Sequence, residues 1–390
     1  MSTPFRNLLS LDDFERAASR HLPRPIFAYV SGGAEDNVAL RDNRAAFDDY
    51  GFVPRILTDV SKRSAATPLF GHIYAQPFGI APMGIAALSA YRGDLVLARA
   101  ARAANIPLVM SGSSLIRLEE VAKENPAAWF QAYLPGETAR IAALLDRVAQ
   151  AGFGTLMVTV DVAVLPSREN NVRAGFTLPL RPSLRLAWDG VSHPRWLLGT
   201  ALRTLLGHGM PHFENSFAER GAPILARNVE RDFSKRDHLN WTHLEQIRRQ
   251  WKGRLVVKGI MSVEDARKAR GSGVDGIVVS NHGGRQLEGT VSPLRVLPAI
   301  VREAGDMTVM MDSGIRRGTH VLKALALGAK FVFVGRPFNY AAAIGGEAGV
   351  RHAIGLLATE VDRDMALLGI NALAEMGPER LMRLRFGNDA

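Results

Sequence analysis

From residue 78 onward the chain alternates between short apolar runs suited to buried strands and longer stretches with helical periodicity. The strand candidates are 78–82, 107–112, 128–134, 155–161, 254–259, 276–281, 308–314 and 331–336. Helical stretches at 93–104, 137–151, 240–251, 262–269, 293–303 and 319–327 separate them. Parallel strands need long crossovers, usually helical, so this order predicts an α/β fold with a parallel sheet. Eight repeats favour a closed (β/α)8 TIM barrel over an open doubly wound sheet. No GxGxxG turn opens the first helix, which weakens a nicotinamide reading.

Two regions stand outside the rhythm. Residues 1–66 read as a helical N-terminal extension, with helices expected at 11–21 and 38–47 and a glycine pair, Gly32-Gly33, ending a short helix that carries Tyr29. A hairpin at 67–76 can close the bottom of the barrel. The other region follows strand four, where alternation is lost between Asp161 and Asn240, too long an interval for a plain connection. Within it, residues 176–213 carry Arg181, Arg185, Arg195 and Arg203 against the single acid Asp189, together with Trp188, Trp196 and the pairs Leu197-Leu198 and Leu205-Leu206. Basic residues mixed with Trp and Leu, without a span of about 20 apolar residues, suit a membrane-surface contact. A lid or a subunit contact is the alternative for this insertion, whose bounds are set at 176–217. All 390 residues then form one domain.

Net charge is +10, which calls for an anionic partner, yet no basic run interleaved with aromatics marks a nucleic-acid groove. Cysteine is absent, so disulfides, thiolate metal sites and cysteine nucleophiles are excluded. Asp12, Asp13 and Glu15 follow the first residues where a secretory signal would have an apolar core, so a cytoplasmic location is expected.

In such barrels the reacting groups sit at the carboxyl ends of the strands. The sixth apolar run leads into Ser280-Asn281-His282-Gly283-Gly284-Arg285-Gln286-Leu287. An imidazole and a guanidinium three residues apart offer a base and an anion clamp, the pair that hydroxy-acid oxidation needs. A capping histidine and a solvated arginine would be the bland alternative, but the neighbouring strand ends carry matching chemistry. Strands seven and eight end in Asp312-Ser313-Gly314-Ile315-Arg316 and Gly335-Arg336, glycine turns with guanidinium groups that suit a phosphate. Lys258 ends strand five as either a cation for an electron-rich ring or a Schiff-base lysine. Asp161, after strand four, can orient His282 and stabilise its imidazolium. Strand three presents Gln131 and Tyr133 on one face.

Taken together, these residues resemble the FMN-dependent α-hydroxy-acid dehydrogenases and oxidases. The similarity runs through Tyr29 with Gly32-Gly33-Ala34-Glu35-Asp36, Ile80-Ala81-Pro82, Trp129-Phe130-Gln131-Ala132-Tyr133, Val257-Lys258-Gly259, 280–287, 312–318 and Val334-Gly335-Arg336. The resemblance implies FMN held by Ala81, Pro82, Met83, Ser111, Gln131, Thr159, Lys258 and Ser280, with its phosphate at Asp312, Ser313, Gly314, Ile315, Arg316, Gly335 and Arg336. It implies a substrate carboxylate met by Arg285, Arg168 and Tyr29, with Tyr133 at the hydroxyl and His282 as base. Residues 159–164, Arg168-Glu169, 193–196 and 208–211 look most like the mandelate dehydrogenase branch, which implies a membrane surface, a quinone acceptor, a peripheral position on the cytoplasmic face and a homotetramer. Met83 and Pro166-Ser167 depart from the usual pattern and put acceptor and substrate size in question. Gly84 is expected to leave space for an aryl side chain. The alternatives are lactate dehydrogenation, an oxygen-using hydroxy-acid oxidase, an FMN barrel isomerase acting on a phosphorylated substrate, and a nonenzymatic anion-binding protein.

Overall fold

A computed structural model describes residues 5–177, 183–226 and 236–384. Eight parallel strands form the barrel: β1 Phe78–Ile80, β2 Val109–Ser111, β3 Trp129–Ala132, β4 Thr155–Thr159, β5 Arg254–Ile260, β6 Gly276–Val279, β7 Thr308–Met311 and β8 Phe331–Val334. In-register pairs such as Met157 with Val256, Val309 with Ile277 and Val332 with Phe78 run round the sheet. A bridge between Ile80 and Leu108 joins its two ends. Side chains alternate across each strand, so the apolar runs supply two cores. Val109, Met157, Val256, Val278, Met310 and Phe333 fill the interior. Val257, Ile277, Val309 and Val332 pack outward with the helices. The hairpin of Thr67–Leu69 and His72–Tyr74 plugs one end by sending Leu69 and Tyr74 into the interior cluster.

Seven of the eight strands are shorter than the apolar runs suggest, whereas β5 runs on through Lys258 and Gly259 to Ile260. β4, β6 and β7 stop at Thr159, Val279 and Met311, so Asp161, Ser280, Asp312 and their neighbours sit on the loops just beyond. Arg336 does not end strand eight but opens a helix, with Pro337 in a first turn that needs no backbone donor there; the helical run to Leu368 is broken at Gly346, whose φ is 54 and ψ −141. At β5 the register shifts between Lys258 and Ile260, with Gly259 at φ +109 between them. A Cβ on Gly259 would lie 2.7 Å from the Asp161 Cβ, so glycine is what lets the β5 bulge and the carboxylate lie side by side.

The extension contains the helices Leu11–His21, Arg24–Ser31 and Val38–Ala45, but it is not wholly helical. Tyr50–Phe52 pairs antiparallel with Leu381–Arg383, a long-range ladder of three residues with too little pattern to stand out. The insertion is helical rather than irregular, with Leu184–Val191 followed by the continuous turns Pro194–Trp196, Leu197–Leu202 and Arg203–His208. Leu184, Trp188, Val191, Leu198 and Leu206 are exposed along it. Trp196 is half-buried, and Arg203, although exposed, lies against an aromatic ring. The Trp196 indole donates to the Leu88 carbonyl at 2.8 Å, and the Arg203 guanidinium lies 3.9 Å from the Tyr91 ring centre. Arg181 lies outside the described residues. No helix among the described residues is long and apolar enough to cross a membrane.

Candidate active site

At the carboxyl ends of the strands, the loops after β4 and β6 bring Asp161 against His282. Nδ1 of His282 is 3.0 Å from Oδ1 of Asp161, and both side chains are largely buried. Because a carboxylate accepts, Nδ1 carries the proton and Nε2 is left as the basic atom. That atom lies 3.5 Å from the Tyr133 hydroxyl. Burial pushes the His282 pKa down, Asp161 opposes this, and the Lys258 and Arg168 cations add to the lowering. Burial pushes Asp161 up, but His282 and Lys258 outweigh it and hold the carboxyl below its ordinary value. For this coupled pair the direction that fits both groups is a neutral imidazole beside an ionised carboxylate. His282 also adopts a left-handed backbone at φ 58, as does Ser313 at φ 79, a strain that concentrates at functional sites.

Lys258 sits under this pair. Its ammonium donates to the Ser280 hydroxyl at 2.7 Å and is 3.2 Å from the Asp312 carboxylate. Burial alone would lower its pKa, but Asp312, Asp161 and Tyr133 outweigh that and hold it above the ordinary value, so it stays charged. A permanently charged amine is a poor Schiff-base nucleophile. Ser280 is fully buried and acts through others, accepting from Lys258 and from the His282 backbone N–H at 3.0 Å. Ser111 and Gln131 are likewise behind the wall, joined by a 3.1 Å hydrogen bond from the Ser111 hydroxyl to the Gln131 carbonyl oxygen.

The guanidinium groups converge from distant parts of the chain. Arg285 donates to the carbonyls of Tyr29, Val30 and Gly32, and its guanidinium is 5.0 Å from the Tyr29 ring centre. Arg336 donates to Val30, Gly283 and Gly32. Arg168 donates to the Arg285 carbonyl and the Gln286 side chain. Arg316 is buried, with Asp12 at 3.6 Å and Glu15 at 4.0 Å from its Nε. Burial, with Arg285 and Arg316 close by, drives the Arg336 pKa down to about 9. A dianion placed among these cations relieves both penalties, which is the electrostatic fit expected of a phosphate. Asp312 turns away from this cluster toward Lys258. Gly314, at φ +83, lies so close to the helix Val38–Ala45 that a Cβ would sit 1.9 Å from the Asn43 carbonyl oxygen. Asn43 and Asn281 exchange two side-chain amide hydrogen bonds of 2.8 and 2.7 Å, so the extension holds the loops after β6 and β7 together.

These groups surround a cavity with about 1120 Å³ of empty space, the solvent at its open mouth included. Tyr29, Ala81, Pro82, Met83, Tyr133, Thr159, Arg168, Lys258, His282, Arg285, the 312–316 turn, Gly335 and Arg336 line it. Asp161, Ser111, Gln131 and Ser280 stand directly behind these lining residues. Among the described residues, Gln131 Nε2, Thr159 Oγ1, Asn339 Oδ1 and Arg316 Nε are buried polar atoms without a hydrogen-bond partner. Amide, hydroxyl and guanidinium groups of this kind fit the ring edge, ribityl chain and phosphate of FMN. At Gly84 the expected space is partly taken. A Cβ there would lie 3.1 Å from Ser113 and 3.3 Å from the Tyr29 hydroxyl, so glycine admits the phenol as well as a ligand. Sequence reasoning missed Ser113, Val162, Asn339 and Arg236 on the wall. Arg236 lies 4.5 Å from the Tyr133 ring centre, and it stands at no strand end and in no motif that would have marked it.

Comparison with known proteins agrees with this geometry. The chain is 39% identical to a putative L-lactate dehydrogenase of Mycobacterium tuberculosis over 380 residues, covering 97% of this chain and 90% of that protein. It is 36% identical to the (S)-mandelate dehydrogenase of Pseudomonas putida over 393 residues, covering 99% and 96%. The crystal structure of monotopic membrane protein (S)-mandelate dehydrogenase superposes with a TM-score of 0.89 at 35% identity, over 97% of this chain and all of that one. Residues 18–383 match the FMN-dependent dehydrogenase family, and with the barrel, the His282–Asp161 pair and the arginine cluster in place, the chain belongs to that family of FMN-dependent 2-hydroxy-acid dehydrogenases.

Proposed function

We propose that the protein oxidises an (S)-2-hydroxy acid with an aryl side chain, mandelate or a close analogue, to the 2-keto acid. The observation that carries this reading is the neutral His282 Nε2 beside the Tyr133 hydroxyl, in one cavity with Arg168 and Arg285. Arg168, Arg285 and Tyr29 hold the substrate carboxylate, and the requirement for that anion excludes amides and esters. Tyr133 orients the hydroxyl. His282 Nε2 accepts the proton the substrate loses, and ionised Asp161 stabilises the resulting imidazolium. FMN supplies the sink for the electron pair. Lys258 keeps a fixed positive charge beside the place where negative charge accumulates, and Ser280 and Asp312 keep the ammonium aimed. The FMN phosphate is assigned to the 312–316 turn with Arg316 and Arg336, and its ring and chain to Ala81, Pro82, Met83, Gln131 and Thr159, with Ser111 supporting Gln131.

Residues 176–217 are assigned to a membrane-surface contact on a peripheral enzyme, where a quinone would be the electron acceptor. The exposed Leu184, Trp188, Leu198 and Leu206 support this, as does the monotopic character of the mandelate dehydrogenase structure. The reading includes a single domain over 1–390, a homotetramer and the cytoplasmic membrane face. The M. tuberculosis relative, named for lactate, favours L-lactate as the second substrate reading.

Anaerobic mixing with a panel of 2-hydroxy acids, followed by flavin bleaching, tests the proposal. (S)-Mandelate is expected to outrun lactate and glycolate, and mandelamide is expected to fail. Glycolate or lactate in first place overturns the aryl assignment, and mandelamide at a similar rate overturns the carboxylate clamp.

A further inference from the structure

The 312–316 turn lies between β7 and the helix Gly318–Ala326, and two of its residues, Ser313 at φ 79 and Gly314 at φ 83, hold a left-handed backbone. Such a conformation persists only where surrounding contacts over-determine it. One set of contacts comes from His320, the third residue of the helix that follows. Its Nδ1 accepts from the Arg316 backbone N–H at 3.3 Å, much as the third residue of a capping box reaches back to the entry of its helix. The Gly314 carbonyl is a second backbone partner of the ring. The ring is held in turn by Phe47 of the N-terminal extension, which is fully buried and stacks on it with 4.2 Å between centres and 5° between planes.

Nδ1 can accept only while it carries no proton. Burial lowers the His320 pKa, the Lys323, Arg44 and Arg316 cations add to this, and the opposing Gly314 carbonyl is outweighed, so the value falls to about 4. The ring is therefore neutral at neutral pH. The residue it holds is one that matters to an anion: Ile315 and Arg316 both line the cavity, and Arg316 Nη1 donates to the Ile315 carbonyl at 3.0 Å. Fixing the Arg316 backbone fixes the point from which its guanidinium reaches the site. We propose that His320 is a positioning residue for the cofactor, whose neutral Nδ1 holds the Arg316 backbone so that the 312–316 turn is already shaped for the FMN phosphate. This rests on the assignment of the phosphate to that turn and goes beyond it by naming what shapes the turn. Without the acceptor, the turn must be ordered when the phosphate arrives, and that cost lowers affinity.

The acceptor and the stacking surface of the ring can be separated. His320→Phe keeps a ring against Phe47 and removes Nδ1, whereas His320→Asn removes the ring and keeps an acceptor atom bonded to Cγ, where Nδ1 stood. Apoprotein of each is titrated at neutral pH with FMN and with riboflavin, which lacks the phosphate, by flavin fluorescence. His320→Phe should weaken FMN about three- to tenfold, the scale of one hydrogen bond, and leave riboflavin unchanged. His320→Asn should retain the wild-type preference for FMN over riboflavin. If the Phe variant does not fold, His320→Leu takes its place, and the Asn variant decides by itself in one direction: loss of its preference for FMN shows that the ring matters and overturns the proposal. A wild-type preference in His320→Phe overturns it too, and so does equal weakening of both flavins, which marks a merely structural role. Arg316→Ala in the same assay separates the two readings. If it loses the preference while His320→Phe keeps it, the His320 inference falls alone; if neither variant changes the preference, the phosphate assignment falls with it.

Discussion

Replacing Asp161 by Asn keeps the shape of the dyad and removes only its charge. The 3.0 Å contact with His282 Nδ1 survives, since the amide oxygen still accepts. What is lost is the attraction between a carboxylate and an imidazolium. Two unit charges at about 4 Å interact by about 4 kcal/mol at an effective dielectric near 20. Exchanging a charged for a neutral acceptor recovers part of this, because a neutral hydrogen bond still contributes about 1 kcal/mol. His282 is held neutral in the resting site, so the attraction exists only once the proton has moved. Nearly all of the loss therefore falls on the barrier. A loss of about 2–4 kcal/mol predicts flavin reduction by substrate slowed about 30- to 1000-fold, with substrate affinity little changed. The pH profile carries a second signature. A base acts when neutral, so reduction should rise with pH through the His282 pKa, which lies below its ordinary 6.5, and then level off. Without the carboxylate that opposes the lowering, the rising limb should move to still lower pH although the plateau is lower. Anaerobic stopped-flow reduction across pH 5–9, on protein with full flavin occupancy, measures both. A variant within about threefold of wild type, with the limb unmoved, would remove Asp161 from the chemistry.

Arg316→Ala removes a buried cation from the phosphate turn and should weaken FMN binding by about 10- to 150-fold, the equivalent of one charge-assisted hydrogen bond; titration of apoprotein by flavin fluorescence checks this, and unchanged affinity would move the phosphate elsewhere. Burial raises the Asp94 carboxyl to about 7 despite help from Ser114 and Arg92. The folded state therefore keeps a proton that the unfolded chain releases near pH 4, so stability should fall as pH rises from 4 to 7, by up to about 4 kcal/mol. Urea unfolding of Asp94→Asn should show a flatter dependence over that window, and parallel curves would contradict the assignment. Replacing exposed Leu184, Trp188, Leu198 and Leu206 by serine should release the enzyme from anionic vesicles while mandelate still bleaches the flavin; retention on the vesicles would count against a membrane role for the insertion.

The barrel was legible because its signal is local and repeated: apolar runs of strand length, each punctuated by polar or glycine residues. The same punctuation exposed His282, Asp161 and Lys258, since a strand end is where the fold presents side chains to a ligand. Partnerships across the chain were not legible. Ser280 and Ser111 read as residues touching the cofactor, and their hydrogen bonds to Lys258 and Gln131 came only with the structure. Composition marked the insertion as basic and apolar without showing that Trp196 and Arg203 bind back to Leu88 and Tyr91. Arg236 had no motif at all.

The aim of the arginine cluster shows why position at a strand end was insufficient. Arg285 sits on the loop after β6 and Arg336 at the start of the helix after β8, but their guanidinium groups are held mainly by the carbonyls of Tyr29, Val30 and Gly32. Those carbonyls are free to accept because the helix Arg24–Ser31 ends at Gly32, and the last carbonyls of a helix have no intrahelical donor. The negative end of the helix dipole adds to the attraction. A short helix in the extension thus supplies acceptors that two cations of the barrel require, and Asn43 ties the same extension to Asn281, beside the base. Removing one of those cations would leave the others with the same carbonyl partners, whereas displacing the end of this helix would free two guanidinium groups at once. The geometry of anion binding is therefore set by residues 29–32 as much as by the loops that carry the charges.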